Sequence, residues 1–414
     1  MTVKDRHDLA TAVAWLRSPE AIRERSHFLL TLGEQDRLAH FALHIERLDT
    51  AADYVASVIR ENYPDLAIPY HSRWRHFAAG RIDRWHDLLS DLRHLDTDEI
   101  ARIRFDLCVP SVLLDAGAGP DWTFEEPGTH LSIGRSEGLA VASFHAFTSG
   151  AFSSDPEHPL RADAEGLKNI THHDIEAAFQ TGAGNPLVGI EGRAALMRAL
   201  GAALENRHDL FGTPGRIGHM YDILKARASG GALPAREILS AVIDGFGAIW
   251  PSRLTLGGEN LGDVWRHPAI VTDDATSGLV PFHKLSQWLS YSLVEIFEDA
   301  GVRVTGLDDL TGLPEYRNGG LFLDLGVLEL RDKALAEAPL PVDHEAVVEW
   351  RALTLALLDQ IAGSVRNRLG KSAEDMPLAR VLEGGTWAAG RKIAREKREG
   401  GGPPLQVLSD GTVF

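Results

Sequence analysis

Between Asp343 and Leu369 an apolar residue recurs every three or four positions: Val347, Trp350, Leu353, Leu357, Ile361, Val365 and Leu369. This is the repeat of an α-helix, and it leaves one continuous apolar stripe that must be covered. Leu285, Trp288, Leu289, Leu293, Ile296 and Phe297 form a second stripe, closed by Ala300-Gly301. About three heptads do not establish a coiled-coil dimer, so both helices are expected inside an ordinary core. Further helices are predicted after Ser18-Pro19-Glu20, over 38–48 from Leu38, Phe41, Ile45 and Leu48, over 136–147, and after Pro234. Pro110 argues for a helix beginning there rather than one running through it. Thr171, with Asp174 three residues later, reads as a helix start.

No strand-helix unit repeats, so the expected fold class is mainly α with a few short strands. One large domain over 1–414 is expected, with 1–100 at most an N-terminal helical subdomain and a weak surface junction at 227–234. Gly and Pro at 400–404 form a joint before a short terminal strand or tail. The chain has 414 residues and a net charge of −17, which argues against binding nucleic acid by charge. The single cysteine, Cys108, rules out an internal disulfide and reads as a small buried hydrophobe. Charged residues near Met1 replace a signal peptide's apolar run, and no segment approaches a membrane span, so a cytoplasmic setting is expected.

Polar chemistry concentrates between Asp308 and Gly326, in DDLTGLPEYRNGGLFLDLG. Gly312, Gly319 and Gly320 permit close backbone approaches. Leu321, Leu323, Leu325 and Val327 alternate as one side of a strand would, which puts Asp324 on the other face. The stretch reads either as an active-site turn carrying a catalytic carboxylate or as a Glu315/Arg317 pair pinning a loop. Tyr70, His71, Arg73, Trp74, Arg75 and His76 crowd seven positions. Arginines among rings suit phosphate or base binding, or core rings flanked by ion pairs.

Other residues are less suggestive. His40 and His44 are one turn apart on the predicted 38–48 helix, without a partner carboxylate, and His172-His173-Asp174 makes no metal shell by itself, so no metal is expected. The glycines fit neither a phosphate loop nor a dinucleotide fingerprint, and no cofactor is expected. Glu259, Asn260, Asp263 and Trp265 lie in a Gly-rich stretch that reads as a lid, a pocket wall or a solvated loop.

Taken together, PYHSRWRHF, RFDLCVPSVLLDAGAG, GRSEGLAVASFHAF, PFHKLSQWLSYSL and LTGLPEYRNGGLFLD resemble the uracil-catabolism family, defined by a domain of unknown function. The resemblance covers nearly the whole chain. It implies a pathway in which pyrimidine becomes a ribotide before ring opening, leaving urea attached to ribose or ribose phosphate. LTGLPEYR is also similar to an Asp-Tyr-Arg segment in the queuosine salvage family of helical N-glycosidases, which are related in fold to DNA glycosylases. That second resemblance implies a helical DNA-glycosylase-like core and sets Glu315 where that family has aspartate, with Tyr316 and Arg317 matching. Asn318-Gly319 departs from the Val-Pro found there.

These resemblances imply hydrolysis of the C1–N bond of ribosylurea or its 5-phosphate, a small-molecule substrate with no nucleic acid or membrane partner. Glu315 stabilises the oxocarbenium-like state, and Asp324 is the second carboxylate or sugar anchor. Arg73, Arg75, Arg317 and Lys284 are candidates for phosphate or carbonyl contacts, His71, His76 and His283 for protonating the leaving group. Tyr316 and Asn318 accompany Glu315 as substrate contacts, and Trp74, Phe144, Trp265 and Trp288 are candidate pocket walls. An amidohydrolase or lyase acting on the urea group, or a noncatalytic scaffold of the pathway, are the alternatives.

Overall fold

The helices begin where the sequence offers good caps. Ser18 Oγ accepts from the Ala21 amide and opens Pro19–Glu34, and Thr171 with Asp174 forms a reciprocal capping box at His172–Ala178. Such caps satisfy amides that the first turn leaves unpaired. The structure is a computed structural model and describes residues 6–115, 117–119, 121–250 and 253–408. The end of the expected tail, residues 409–414, lies outside the described residues. Helix dominates, and the strands come in two-stranded pairs, so the fold is mainly α.

The chain divides into two units, each with its own packed interior. Among the described residues the first comprises 6–71, 253–287 and 306–408; the second comprises 72–250 and 288–305.

In the first unit the helix Glu345–Leu369 packs against Pro19–Glu34 and Leu48–Asn62. Its stripe residues Val347, Trp350, Leu353, Leu357, Ile361 and Val365 are buried, but so are Val348, Ala352, Leu355 and Ala356 on its other sides. The helix is therefore covered all round along most of its length. Burying each large apolar side chain contributes about 1.5–3 kcal/mol. The helix Tyr316–Asp324 is held between this helix and Ala388–Lys397 at two glycines. A Cβ on Gly319 would fall 2.7 Å from the Trp350 indole, and one on Gly390 would fall 2.2 Å from the Arg317 carbonyl oxygen.

Two sequence expectations are corrected in this unit. The alternating stretch from Leu321 is helical to Asp324, and the strand begins later, at Leu328–Leu330. Leu321 and Phe322 are buried on that helix. The segment predicted as a helix over 38–48 is the strand Phe41–Leu43 followed by a 3-10 turn, Ile45–Arg47. Antiparallel pairing of Phe41 with Leu330 and Leu43 with Leu328 decides it. His40 and His44 therefore flank a strand and do not share a helix face.

In the second unit Thr97–Leu113 packs against Arg135–Thr148 and His219–Arg227. Thr97–Leu113 passes through Pro110, contrary to the expected break. Proline forfeits one helical amide bond, but the flanking residues from Phe105 to Leu113 are all buried, and packing outweighs that loss. Residues Ala232–Pro234 form a parallel pair with Arg303–Thr305, and Pro234 precedes the helix Ala235–Phe246 as expected.

Candidate active site

Glu315 is the N-cap of Tyr316–Asp324, and its carboxylate accepts the Arg317 amide at 2.8 Å and the Asn318 amide at 2.5 Å. A carboxylate in this position also benefits from the helix dipole. Half-buried, it is pushed above the usual carboxylate range by desolvation. The two amide bonds and the charges of Lys284 and His71 pull the other way without cancelling that effect. A desolvated carboxylate within electrostatic reach of a lysine and a histidine is a common arrangement for acid-base chemistry.

His71 and Lys284 are themselves fixed. His71 Nδ1 lies 2.6 Å from Glu383 Oε2, and its ring packs at 5.4 Å on Trp387. Glu383 and Trp387 belong to Val381–Trp387, which winds as a π-helix, a rare form that recurs at functional sites. Lys284 opens the helix Lys284–Asp299, and its amide donates to Asp263 Oδ2 at 2.9 Å. Burial alone would raise the Asp263 carboxyl, but Arg351, Trp265 and the Lys284 amide hold it well below the usual range. His283, just before Lys284, has φ 48°, in the left-handed region, a strained conformation for a non-glycine residue.

The remaining candidates of the first unit serve mainly to hold this arrangement. Asn318 is buried, donates to the Leu313 carbonyl at 3.0 Å and accepts from Thr386 Oγ1 at 2.8 Å. Arg317 is buried and donates to the Gly401 carbonyl at 2.6 Å, with its guanidinium 4.8 Å from the exposed Tyr316 ring. His283 shares a 2.9 Å hydrogen bond between Nε2 and the Leu16 carbonyl, and burial lowers its pKa. Trp265 is buried and donates to Asp263 Oδ1. Asp324 ends the helix that Glu315 begins and is paired with both Arg398 guanidinium nitrogens at 2.6 and 2.7 Å. Nine residues of helix span about 13 Å, so the structure does not bring the two carboxylates together.

The second unit assembles the other predicted residues in a separate cluster. Arg73 is fully buried and pairs with Asp115 at 3.0 Å and with Ser111 Oγ at 2.7 Å. Its guanidinium lies 3.3 Å from His76 Nδ1 and 5.6 Å from the Trp288 ring centroid. Burial lowers the Arg73 pKa, against the charge of Asp115. His76 and Trp288 are both buried, with ring centroids 5.6 Å apart. Trp74 donates to the Ser292 carbonyl and lies under the Arg104 guanidinium. Arg75 pairs with Glu295 at 2.8 Å, and Phe144 packs on Phe77.

Sequence reasoning missed Glu383 and Trp387, and it placed Asp263 in a Gly-rich stretch read as a lid, a pocket wall or a solvated loop without joining it to Glu315. Glu383 stands 312 positions from His71. The Gly384-Gly385 pair was the one local hint of an unusual helix there.

Comparison with known proteins adds the family. Residues 15–414 match the family described as "Protein of unknown function (DUF1688)". The chain is 37% identical to "Uracil catabolism protein 4" of Lachancea kluyveri over 97% of this chain and 99% of that protein. It is 40% identical to "Protein urg3" of Schizosaccharomyces pombe over the same shares of both.

Proposed function

Because the chain belongs to the DUF1688 family, we propose that it acts in uracil catabolism as a hydrolase cleaving the C1–N bond of ribosylurea or its 5-phosphate. The observation that supports this most is Glu315, a desolvated carboxylate fixed by two amides and facing the charges of Lys284 and His71. The resemblance of Glu315-Tyr316-Arg317 to the helical N-glycosidases supports the same role, as does the mainly α fold.

As the C1–N bond lengthens, positive charge grows on the sugar and its electrons move to the urea nitrogen. Ionised Glu315 stabilises that charge and takes a proton from the attacking water. The fixed positions of Lys284 and the two amides lower the cost of keeping Glu315 ionised. His71, oriented by Glu383, returns a proton to the departing nitrogen. The water oxygen ends on C1, and the products are urea and ribose or ribose phosphate. Asn318 and Arg317 act by holding the start of the Glu315 helix.

The test is NMR of the purified protein with ribosylurea and with its 5-phosphate, alongside Glu315→Gln. Free urea and a reducing sugar, lost in a folded E315Q protein, are expected. Unchanged substrates overturn the proposal, and ammonia without urea points instead to attack on the urea carbonyl.

A further inference from the structure

A second cluster in the first unit has no part in the chemistry above. His267 follows the strand Val264–Arg266, Glu345 and Glu349 sit one turn apart at the start of Glu345–Leu369, and His40 precedes the strand Phe41–Leu43. One ligating atom from each of His267, Glu345 and Glu349 lies within 4.8 Å of the others. We propose that these three residues, with His40, bind a divalent transition-metal cation in a closed structural site best suited to Zn²⁺.

The spacing is the first argument. Zinc with nitrogen and oxygen ligands at about 2.0–2.2 Å in a tetrahedron holds neighbouring ligand atoms about 3.3–3.5 Å apart. His267 Nε2 is 3.3 Å from Glu349 Oε2, and His40 Nε2 is 3.5 Å from Glu345 Oε1. Two edges of the tetrahedron therefore already exist. His40 stands outside the 4.8 Å grouping of the other three, so closing the rest draws both His40 and the half-buried Glu345 inward.

Burial and charge are the second. Glu349 is 0% and His267 2% exposed. Among the described residues the ion-pair partners of Glu345 and Glu349 are His40 and His267, with no lysine or arginine. A buried carboxylate needs a compensating charge, and a dication answers two of them. Glu349 Oε1 is held by the amides of His40 and Phe41 at 3.1 and 2.9 Å. That leaves Oε2 toward His267, the outer-shell support typical of metal-binding carboxylates. His40 Nε2 is shielded from solvent and makes no hydrogen bond.

The Ala269 amide donates to His267 Nδ1 at 3.2 Å, which sets the ring proton on Nε2. Metal binding at Nε2 moves that proton to Nδ1, so the Ala269 amide loses its acceptor and the ring turns to separate the two N–H groups. The other grouping of this kind, His172, His173 and Glu176, is largely exposed, and His173 is paired with Glu176.

Chelator-stripped full-length protein should take up one Zn²⁺ per chain by calorimetry and unfold at higher temperature with it. Co²⁺ in its place should give the visible absorption of a tetrahedral site. Glu345→Gln, at a half-buried position that tolerates change, and His267→Ala should each weaken uptake tenfold or more, whereas H172A/H173A should leave it unchanged. Lack of stoichiometric uptake, or uptake insensitive to E345Q and abolished by H172A/H173A, would overturn the proposal.

Discussion

Removing the Asp263 carboxylate should unfold the first unit more readily than any change on its surface. The side chain accepts four hydrogen bonds: two from Arg351 at 2.9 Å each, one from Trp265 at 2.6 Å and one from the Lys284 amide at 2.9 Å. Arg351 is 1% exposed, so Asp263→Ala takes away the carboxylate that balances a buried guanidinium. Breaking such a buried pair costs about 3–5 kcal/mol, whereas replacing both partners by apolar groups costs far less. Urea unfolding followed by tryptophan fluorescence should show that loss for D263A, with D263A/R351M at least about 1 kcal/mol more stable than D263A. The pH dependence adds a sign. Asp263 has a depressed folded pKa, so its stabilisation is present above the ordinary value of 3.8 and fades as pH falls toward the folded one. Asp263→Asn should lack that acid-side loss. A D263A cost below about 1 kcal/mol, or a double variant no better than the single, would refute the reasoning.

Three further outcomes follow from the same geometry. Glu315 has a raised folded pKa, so its contribution is fullest below the ordinary 4.5 and is lost as pH rises through the folded value. E315Q should therefore gain stability relative to the parent between acid and neutral pH, read from urea midpoints at both; a relative loss would contradict the assignment. Gly390→Ala forces a methyl to within 2.2 Å of the Arg317 carbonyl oxygen, and should cost about 1–3 kcal/mol by overpacking despite alanine's better helix propensity; unchanged stability by urea titration would show that the two helices separate freely. Burial pushes the Cys108 thiol up to about 12, so an alkylating reagent should modify it only after unfolding, and rapid labelling of native protein would be inconsistent with this packing.

Long periodic stripes and local caps were readable because their determinants lie within a few residues. The helix Lys284–Asp299 and the start at Ser18 are of this kind. The strand at Phe41 was not, because Leu328–Leu330, nearly three hundred residues away, decides it. Leu321 and Leu323 fit a strand's alternation, and only the Glu315 cap and the packing at Gly319 and Gly390 make the segment helical. At the candidate site, Glu315, Lys284 and His71 carry a chemical signature of their own, and tertiary structure supplied their proximity. Glu383 acts through His71, 312 positions away, and the charge partner of Asp263 is Arg351, 88 positions away, so no spacing announced either pair. His40 lacked a carboxylate partner on its own segment; the chain supplies Glu345 across 305 positions.

In the proposed reaction water attacks C1 of the sugar and not the urea carbonyl. Turnover of ribosylurea and its 5-phosphate in ¹⁸O-enriched water, quenched before the sugar exchanges its anomeric oxygen, tests it most directly. Attack at C1 puts the label on C1 of the released sugar and leaves the urea unlabelled and intact. Label in carbamate or carbon dioxide, with the sugar unlabelled, would contradict it.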